Sequence, residues 1–482
     1  MKIIDKIKKF NPSLKICYLY FFLPIIALGC ISVFKEGDIW FLIKHGEYVI
    51  NHGFPHTDFL SMHSGLHFVM QQWFSSIIFY FTYHFFGSIG LKLLLQITNI
   101  LFMFILYKLC LLISNNKYRL SIITTVIIDS LLLVFILPRP WIFTFIILIS
   151  ELYVLEIFYR NNNKKILLLL PVLSLIQINM QASMWLMLII LMLPYIVDLI
   201  IKKDKKVFYL LLIIPIMLLI GFFNPYGIEN MLYLFNSYNK KEINYVVAEM
   251  HSPTIGLGIG GIIGNYLFTI VFSIIMIYIL AKKGKIKIRY ILLTTGTLIL
   301  ALINIRSIPL FIVCGIFPLA DYLTVYFKKE TKKENNIKNY KIALIFFIVY
   351  SLTLTLFVNN KVTTEVKEGI DVIIKDGCTS KDPIYVNYDN GSYAEYKGLK
   401  PYMDTRAEVY IKSINHKEDI LLEYASLISG NYNYNKFINK YRFKYMLIQK
   451  DEILYSDVLK DENYKIIYDD KEYSVFSLKN KE

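Results

Sequence analysis

Long apolar runs separated by short polar connections repeat from Cys17 to Val358, after which the chain turns polar. Most runs reach the ~20 residues that a helix needs to cross a bilayer. A helix is the form required there, because lipid offers no partners to exposed backbone N–H and C=O groups. The pattern predicts spans at 16–34, 90–113, 120–137, 141–159, 166–181, 183–201, 207–223, 264–281, 290–305, 307–326 and 342–358, about eleven in all. The run 69–86, VMQQWFSSIIFYFTYHFF, is apolar as well. It reads as an amphipathic helix lying on the membrane surface, with Trp73, Tyr80 and Tyr83 at headgroup level. Beyond Asn359, the alternating stretches Ile384–Tyr388, Tyr445–Gln449 and Ser474–Leu478 predict strands, and Lys417–Ser429 predicts helix. The expected architecture is an all-α polytopic membrane domain over 1–358, with a large first outer loop at 35–89 and a small α/β domain at 359–482. No internal repeat of fixed period is present.

Composition agrees with lipid as the surrounding. Apolar residues make up 56% of the 482, above the roughly 45–50% of soluble chains. The net charge of +15 does not point to nucleic acid, because the lysines cluster in short connections between apolar runs. The clusters are Lys2 to Lys9, Lys117 with Arg119, Arg160 to Lys165, Lys202 to Lys206, Lys282 to Arg289, and Lys328 to Lys341. They fall on alternate connections, and an excess of Lys and Arg marks the cytoplasmic face. The N-terminus is therefore expected in the cytoplasm and the C-terminal domain outside the cell membrane. Counting 69–86 as a span would invert every later loop. No small-residue cleavage site follows the first run, which reads as a retained anchor. Cys17, Cys30, Cys110 and Cys314 lie in apolar runs and Cys378 in the polar part, so no disulfide framework is readable.

The outer side carries the unusual residues. The first outer loop concentrates Glu36, Asp38, His45, Glu47, His52, His56, Asp58, His63 and His67 in a chain with eight histidines in all. Asp38 lies just past the first span, beside Trp40, an interfacial anchor. A carboxylate there can deprotonate a hydroxyl brought to it, ligate a divalent metal such as Mg or Mn, or cap a helix. Gly53 and Pro55 interrupt any helix that would align the histidines, and no Cys accompanies them, which favours hydrogen-bonded or solvated roles over a metal cage. Arg139 in LPRPW and Arg306 in NIRSIP are scarce outer-side arginines. Each suits a phosphate, or snorkelling to headgroups. The stretch GLGIGGIIG follows no strand and reads as a loop. Asp129 and Glu151 fall near mid-depth in adjacent spans, either as protonated or hydrogen-bonded residues or as functional carboxyls.

From Glu36 to Gly90 the chain resembles the GT-C superfamily of membrane glycosyltransferases, which includes the protein O-mannosyltransferases, the aminoarabinose transferases of lipid A and the RgtA/B/C/D-like group. In that superfamily an acidic residue follows the first span and the donor is a sugar on polyprenyl phosphate; Asp38 matches the acidic position and Val69–Phe86 a surface helix. The chain is also similar to a bacterial branch with Gly37-Asp38-Ile39-Trp40, Gly53 to Ser61, Arg139-Pro140, Asn224-Pro225-Tyr226-Gly227 and Arg306 to Pro309. Where that branch has Asn-x-His-Gly, this chain has Asn179-Met180-Gln181-Ala182 and lacks the His. Tyr388-Asp389-Asn390-Gly391 and Asp404-Thr405-Arg406 match it in the polar domain, and Tyr-Asp-x-Gly is also similar to the acceptor-peptide motif of oligosaccharyltransferase catalytic subunits.

The resemblance implies an inverting transferase that moves sugar from polyprenyl phosphate to a hydroxyl on a surface glycan, lipid or protein. Asp38 is the expected base, and Arg139 and Arg306 are the expected phosphate ligands. Glu36, His45, Glu47, His56, Asp58, Glu249 and His251 are the candidates for orienting substrates. Two other classes compete. A transporter or flippase of lipid-linked sugars would use Asp129 and Glu151 and show repeated halves; a non-catalytic envelope-assembly protein would bind a partner through its outer domain.

Overall fold

A computed structural model describes residues 37–132, 135–237, 240–252, 287–325 and 364–479. The expected spans 16–34, 264–281 and 342–358, together with Glu36 and the stretch GLGIGGIIG, lie outside these residues. The other eight expected spans are helical. They correspond to the second half of α2 (Trp73–Ile113), α3 (Tyr118–Leu132), α4 (Trp141–Asn161), α5 (Leu169–Met180), α6 (Trp185–Ile201), α7 (Val207–Ile220), α8 (Ile288–Ile303) and α9 (Ile308–Gly315). Among the described residues, four helical segments are long and apolar enough to cross a membrane. The chain is a membrane protein.

The first outer loop opens with helix α1 (Asp38–His52) and continues into α2, which is one 41-residue helix only nominally. Gly87 breaks it with φ 58° and ψ −149°, a conformation that costs glycine little. The half before the break covers most of the run 69–86, where a surface helix is expected. It buries Ser75, Ser76 and Phe79 and leaves Phe81, Phe85 and Phe86 exposed. Its buried face meets α1 at backbone contact. A Cβ at Gly46 would stand 2.2 Å from the Ser76 carbonyl oxygen, so the crossing requires glycine there.

The described basic connections meet at one end of the bundle. Arg160 donates to the carbonyls of Leu112 and Ile113, Lys117 to that of Thr324, and Lys206 to that of Tyr159. Arg289, buried, pairs there with Glu156 at 2.9 Å and Asp198 at 3.2 Å. The scarce acids and arginines of the outer connections gather at the other end.

That other end is covered by the polar domain. Its sheet has the order β1 (Ile384–Val386), β2 (Tyr445–Gln449), β4 (Tyr473–Leu478), β3 (Tyr464–Asp469), with β1 parallel to β2 and the other pairs antiparallel. Helix α10 (Thr364–Lys375) packs on one face, using Val366, Ile370 and Ile373 against Leu447 and Val475. The other face is an aromatic layer in which Tyr385, Tyr402, Phe437 and Phe443 contact one another. This layer is continuous with Val49, Leu66, Phe68 and Met70 of the first outer loop. Loop and domain thus share one core.

Candidate functional site

A cavity of about 610 Å³ lies between the bundle and the polar domain. Its lower wall is apolar, with Met184 just before α6, Met187 and Ile190 from α6, Leu300 from α8 and Leu310 from α9. Its upper wall is charged and polar: Asp38, Arg139, Glu249 and Arg306 from the membrane part, and Asp389, Arg406 and Glu408 from the polar domain. Four of the candidates named from the sequence, spread over 268 positions of the chain (306 − 38), therefore face one space.

Local sequence fixes each of them. Asp38 occupies the first turn of α1, where a carboxylate is stabilised by the exposed N–H groups and the helix dipole. The preceding Gly37 lies so near the polar domain that a Cβ would sit 2.6 Å from the Asp389 carbonyl oxygen. This close approach accounts for the glycine of the GD-x-W opening. Arg139 precedes Pro140, the N-cap of α4; its Nε forms an ion pair with Asp38 Oδ2 at 2.9 Å, and its Nη1 donates to Glu249 Oε1 at 3.1 Å. Arg306 stands on the turn Ile305–Ser307, which the Asn304 side chain ties by accepting from Ser307 N–H at 2.9 Å and Ser307 Oγ at 2.7 Å. Pro309 then opens α9 where no backbone N–H is needed.

The charges act on one another. Burial alone would raise the Glu249 carboxyl, but Arg139 and Arg306 beside it hold it below the usual range. Asp389 moves the opposite way, raised first by burial and then by the negative charge of Asp38. The upper wall thus offers a carboxylate bound to arginine and, beside it, a carboxyl that holds its proton more readily. Asp389 belongs to the Tyr-Asp-Asn-Gly motif, whose Gly391 is forced by packing: a Cβ there would stand 1.8 Å from the Met403 carbonyl oxygen. Gln181, at the position where the similar branch has His, also lines the cavity and accepts from Thr144 Oγ1 at 2.8 Å.

Other candidates lie elsewhere. Asp58 and His45 are buried around Arg406, whose Nη1 meets Asp58 Oδ1 at 2.7 Å and His45 Nε2 at 3.3 Å. Arg406 also donates to both oxygens of Asp404, at 2.9 and 2.6 Å, and to Glu395 at 3.2 Å. Its guanidinium lies between the rings of Phe41 and Phe68. These residues join the first outer loop to the polar domain. Glu47 pairs with Lys44, His56 packs its ring against Tyr226, and the His251 carbonyl accepts from Ile305 N–H. None of these three lines the cavity. Asn224 and Gly227 of the NPYG motif form a turn closed by the Asn224 side chain. Asp129 and Glu151 are fully buried in α3 and α4, away from the cavity lining. Among the described residues, no three His, Cys, Asp or Glu side chains converge as a metal's ligands would. Asp38 is paired with Arg139.

No protein-family model and no curated protein sequence matches the chain. Solved structures do share its architecture. The Archaeoglobus fulgidus oligosaccharyltransferase, solved with a tethered acceptor peptide containing the NVT sequon, superposes with a TM-score of 0.59 at 11% identity, over 92% of this chain and 69% of that one. ArnT from Cupriavidus metallidurans superposes in its apo state with a TM-score of 0.56 at 10% identity, over 97% of this chain and 98% of that one. Bound to undecaprenyl phosphate, it superposes at 0.54 and 11%, over 95% and 97%. The chain shares the fold of this oligosaccharyltransferase and of ArnT.

Proposed function

We propose that the chain is an inverting membrane glycosyltransferase that moves a sugar from polyprenyl phosphate to a hydroxyl acceptor on the outer face of the cell membrane. The observation that carries this reading is the cavity itself: an apolar wall built by spanning helices leads up to Arg139 and Arg306, with Asp38 held against Arg139 at 2.9 Å. A lipid-linked phosphate needs all three features, namely apolar surface for the chain, cations for the phosphate and a base for the acceptor. The solved structures of the same fold include one bound to undecaprenyl phosphate and one with an acceptor peptide, which favours a lipid donor and a separate acceptor over a transport cargo.

In the proposed reaction the acceptor oxygen bonds to the anomeric carbon as its proton passes to Asp38. The bond from that carbon to the phosphate oxygen breaks, and its electron pair stays on the lipid phosphate. Lipid phosphate is already a competent leaving group, so the larger task is to stabilise its charge beside an apolar wall. Arg139 and Arg306 supply that, each as a fork able to hold two oxygens. No step passes through a metal ion. The acceptor would approach from the side of Asp389 and Glu408, contributed by the polar domain.

The test is reconstitution of the full chain in liposomes with a panel of polyprenyl-phosphate monosaccharides and hydroxyl acceptors. The reading expects acceptor-dependent release of polyprenyl phosphate with at least one donor. Movement of an intact donor across the bilayer with no release would replace it with the carrier reading. Cysteines introduced at Asn390 and Lys205 test the sidedness, since external reagents should label the first and not the second.

A further inference from the structure

Glu249 is in an unusual place for a carboxylate that merely balances charge. It stands on the three-residue turn Ala248–Met250, held against the cavity end of α8 by Ile305 N–H donating to the His251 carbonyl at 3.0 Å and Ser252 Oγ donating to that of Leu302 at 2.9 Å. Its Oε1 accepts from Arg139 Nη1 at 3.1 Å. Arg306 is close enough to act on its charge. Asp38 takes a different edge of the same guanidinium, through Nε. The two acids also differ in access: the Glu249 side chain is 44% exposed, against 19% for Asp38.

Resting on the lipid-phosphate reading above, we infer that Glu249 holds the place of the donor phosphate and sets which lipids can enter. Two arginines beside an apolar wall are costly without counter-anions; Asp38 supplies one on the Nε edge of Arg139, and the Glu249 carboxylate supplies the one on its Nη1 edge before the donor arrives. A sugar–phosphate–lipid diester carries a single negative charge, the same as the carboxylate it would displace. Exchange leaves the charge of the site unchanged, and donor affinity becomes the difference between two anions on the same arginines. A lipid-linked sugar without a phosphate cannot displace Glu249, so the residue excludes neutral glycolipids. Asp38 keeps its edge of Arg139 through the exchange and stays aimed at the acceptor side.

The experiment is calorimetric titration of the detergent-solubilised full chain with a short-chain polyprenyl phosphate, and with a neutral glycolipid of equal chain length. Glu249→Gln removes the competing charge and should tighten binding of the polyprenyl phosphate by about threefold to fivefold, the size of a half-exposed ion pair. It should also admit weak binding of the neutral glycolipid. The gain should vanish in an Arg139→Gln background, and Glu249→Asp, which keeps the charge, should not show it. A side chain that only supports the fold would weaken binding when changed, so equal or weaker binding in Glu249→Gln with an unchanged melting temperature overturns the inference while leaving the donor reading intact. Absence of polyprenyl-phosphate binding in the wild type removes the donor reading and this inference with it.

Discussion

Arg406 and Arg139 stand in the same cavity wall, each between acidic side chains, and they do different things. Arg406 is 2% exposed, and its donors are spent on Asp58, Glu395, both oxygens of Asp404 and His45. Arg139 is 24% exposed and divides its fork between Asp38, on a helix N-terminus, and Glu249, on a short turn. Burial decides the role. A saturated, dry arginine joins two parts of the chain, because removing it would leave several carboxylates uncompensated. A half-open one can trade a carboxylate for another anion at small cost.

The largest effect should come from the buried member. Arg406→Met leaves Asp58, Asp404 and Glu395 without their cation and should destabilise the junction by about 3–5 kcal/mol, the cost of breaking a buried pair. Thermal unfolding and protease release of the polar domain would register it, and an unchanged melting temperature would mean that the shared aromatic core alone joins the parts.

Glu452 shows what burial does without a cation. Burial pushes its carboxyl up to about 7, against hydrogen bonds from Gln449 N–H, Tyr385 and Asn387 that favour the charged form. Its folded value lies above its unfolded one, so the stabilisation it lends is complete below about pH 4.5 and is lost as pH rises through about 7. Wild type should therefore lose roughly 2–3 kcal/mol relative to Glu452→Gln across that window, at about 1.4 kcal/mol per unit. Parallel stability profiles for the two proteins would refute the buried-acid account.

The smallest of the three effects belongs to Arg139. Arg139→Lys keeps the charge and loses the fork, so donor affinity should weaken about tenfold, near 1.4 kcal/mol, with little change in melting temperature. An arginine that only reached for headgroups would tolerate the exchange, and affinity within about twofold of wild type would take it out of the site.

The fold was largely legible because its code is local. Apolar run length marked the eight described helices, and among the described residues four helical segments are long and apolar enough to cross a membrane; it also marked the first half of α2, which Gly87 divides from the second. Strand β3 was missed: in Tyr464–Asp469 most positions are exposed or half-exposed, so no alternation announces it. The site was half legible. Scarcity picked out Arg139 and Arg306, and its place just past the first span, with the resemblance, picked out Asp38; Glu249 stood among the candidates for orienting substrates. The same logic misplaced His45 and Asp58, whose reason is Arg406, 348 residues beyond Asp58. Asp389 carried a motif signal, yet only the folded chain sets it against Asp38. Glu408 had no signal.

The central claim is that Asp38 acts as base in a cavity where Arg139 and Arg306 hold a lipid phosphate. Its most direct test is sugar transfer by Asp38→Asn beside Asp129→Asn, which alters a buried carboxyl outside the cavity lining. The account predicts that Asp38→Asn lowers turnover by roughly 10²–10⁴-fold while the melting temperature and polyprenyl-phosphate binding persist, and that Asp129→Asn has a much smaller effect. Wild-type turnover in Asp38→Asn, or loss confined to Asp129→Asn, would contradict it.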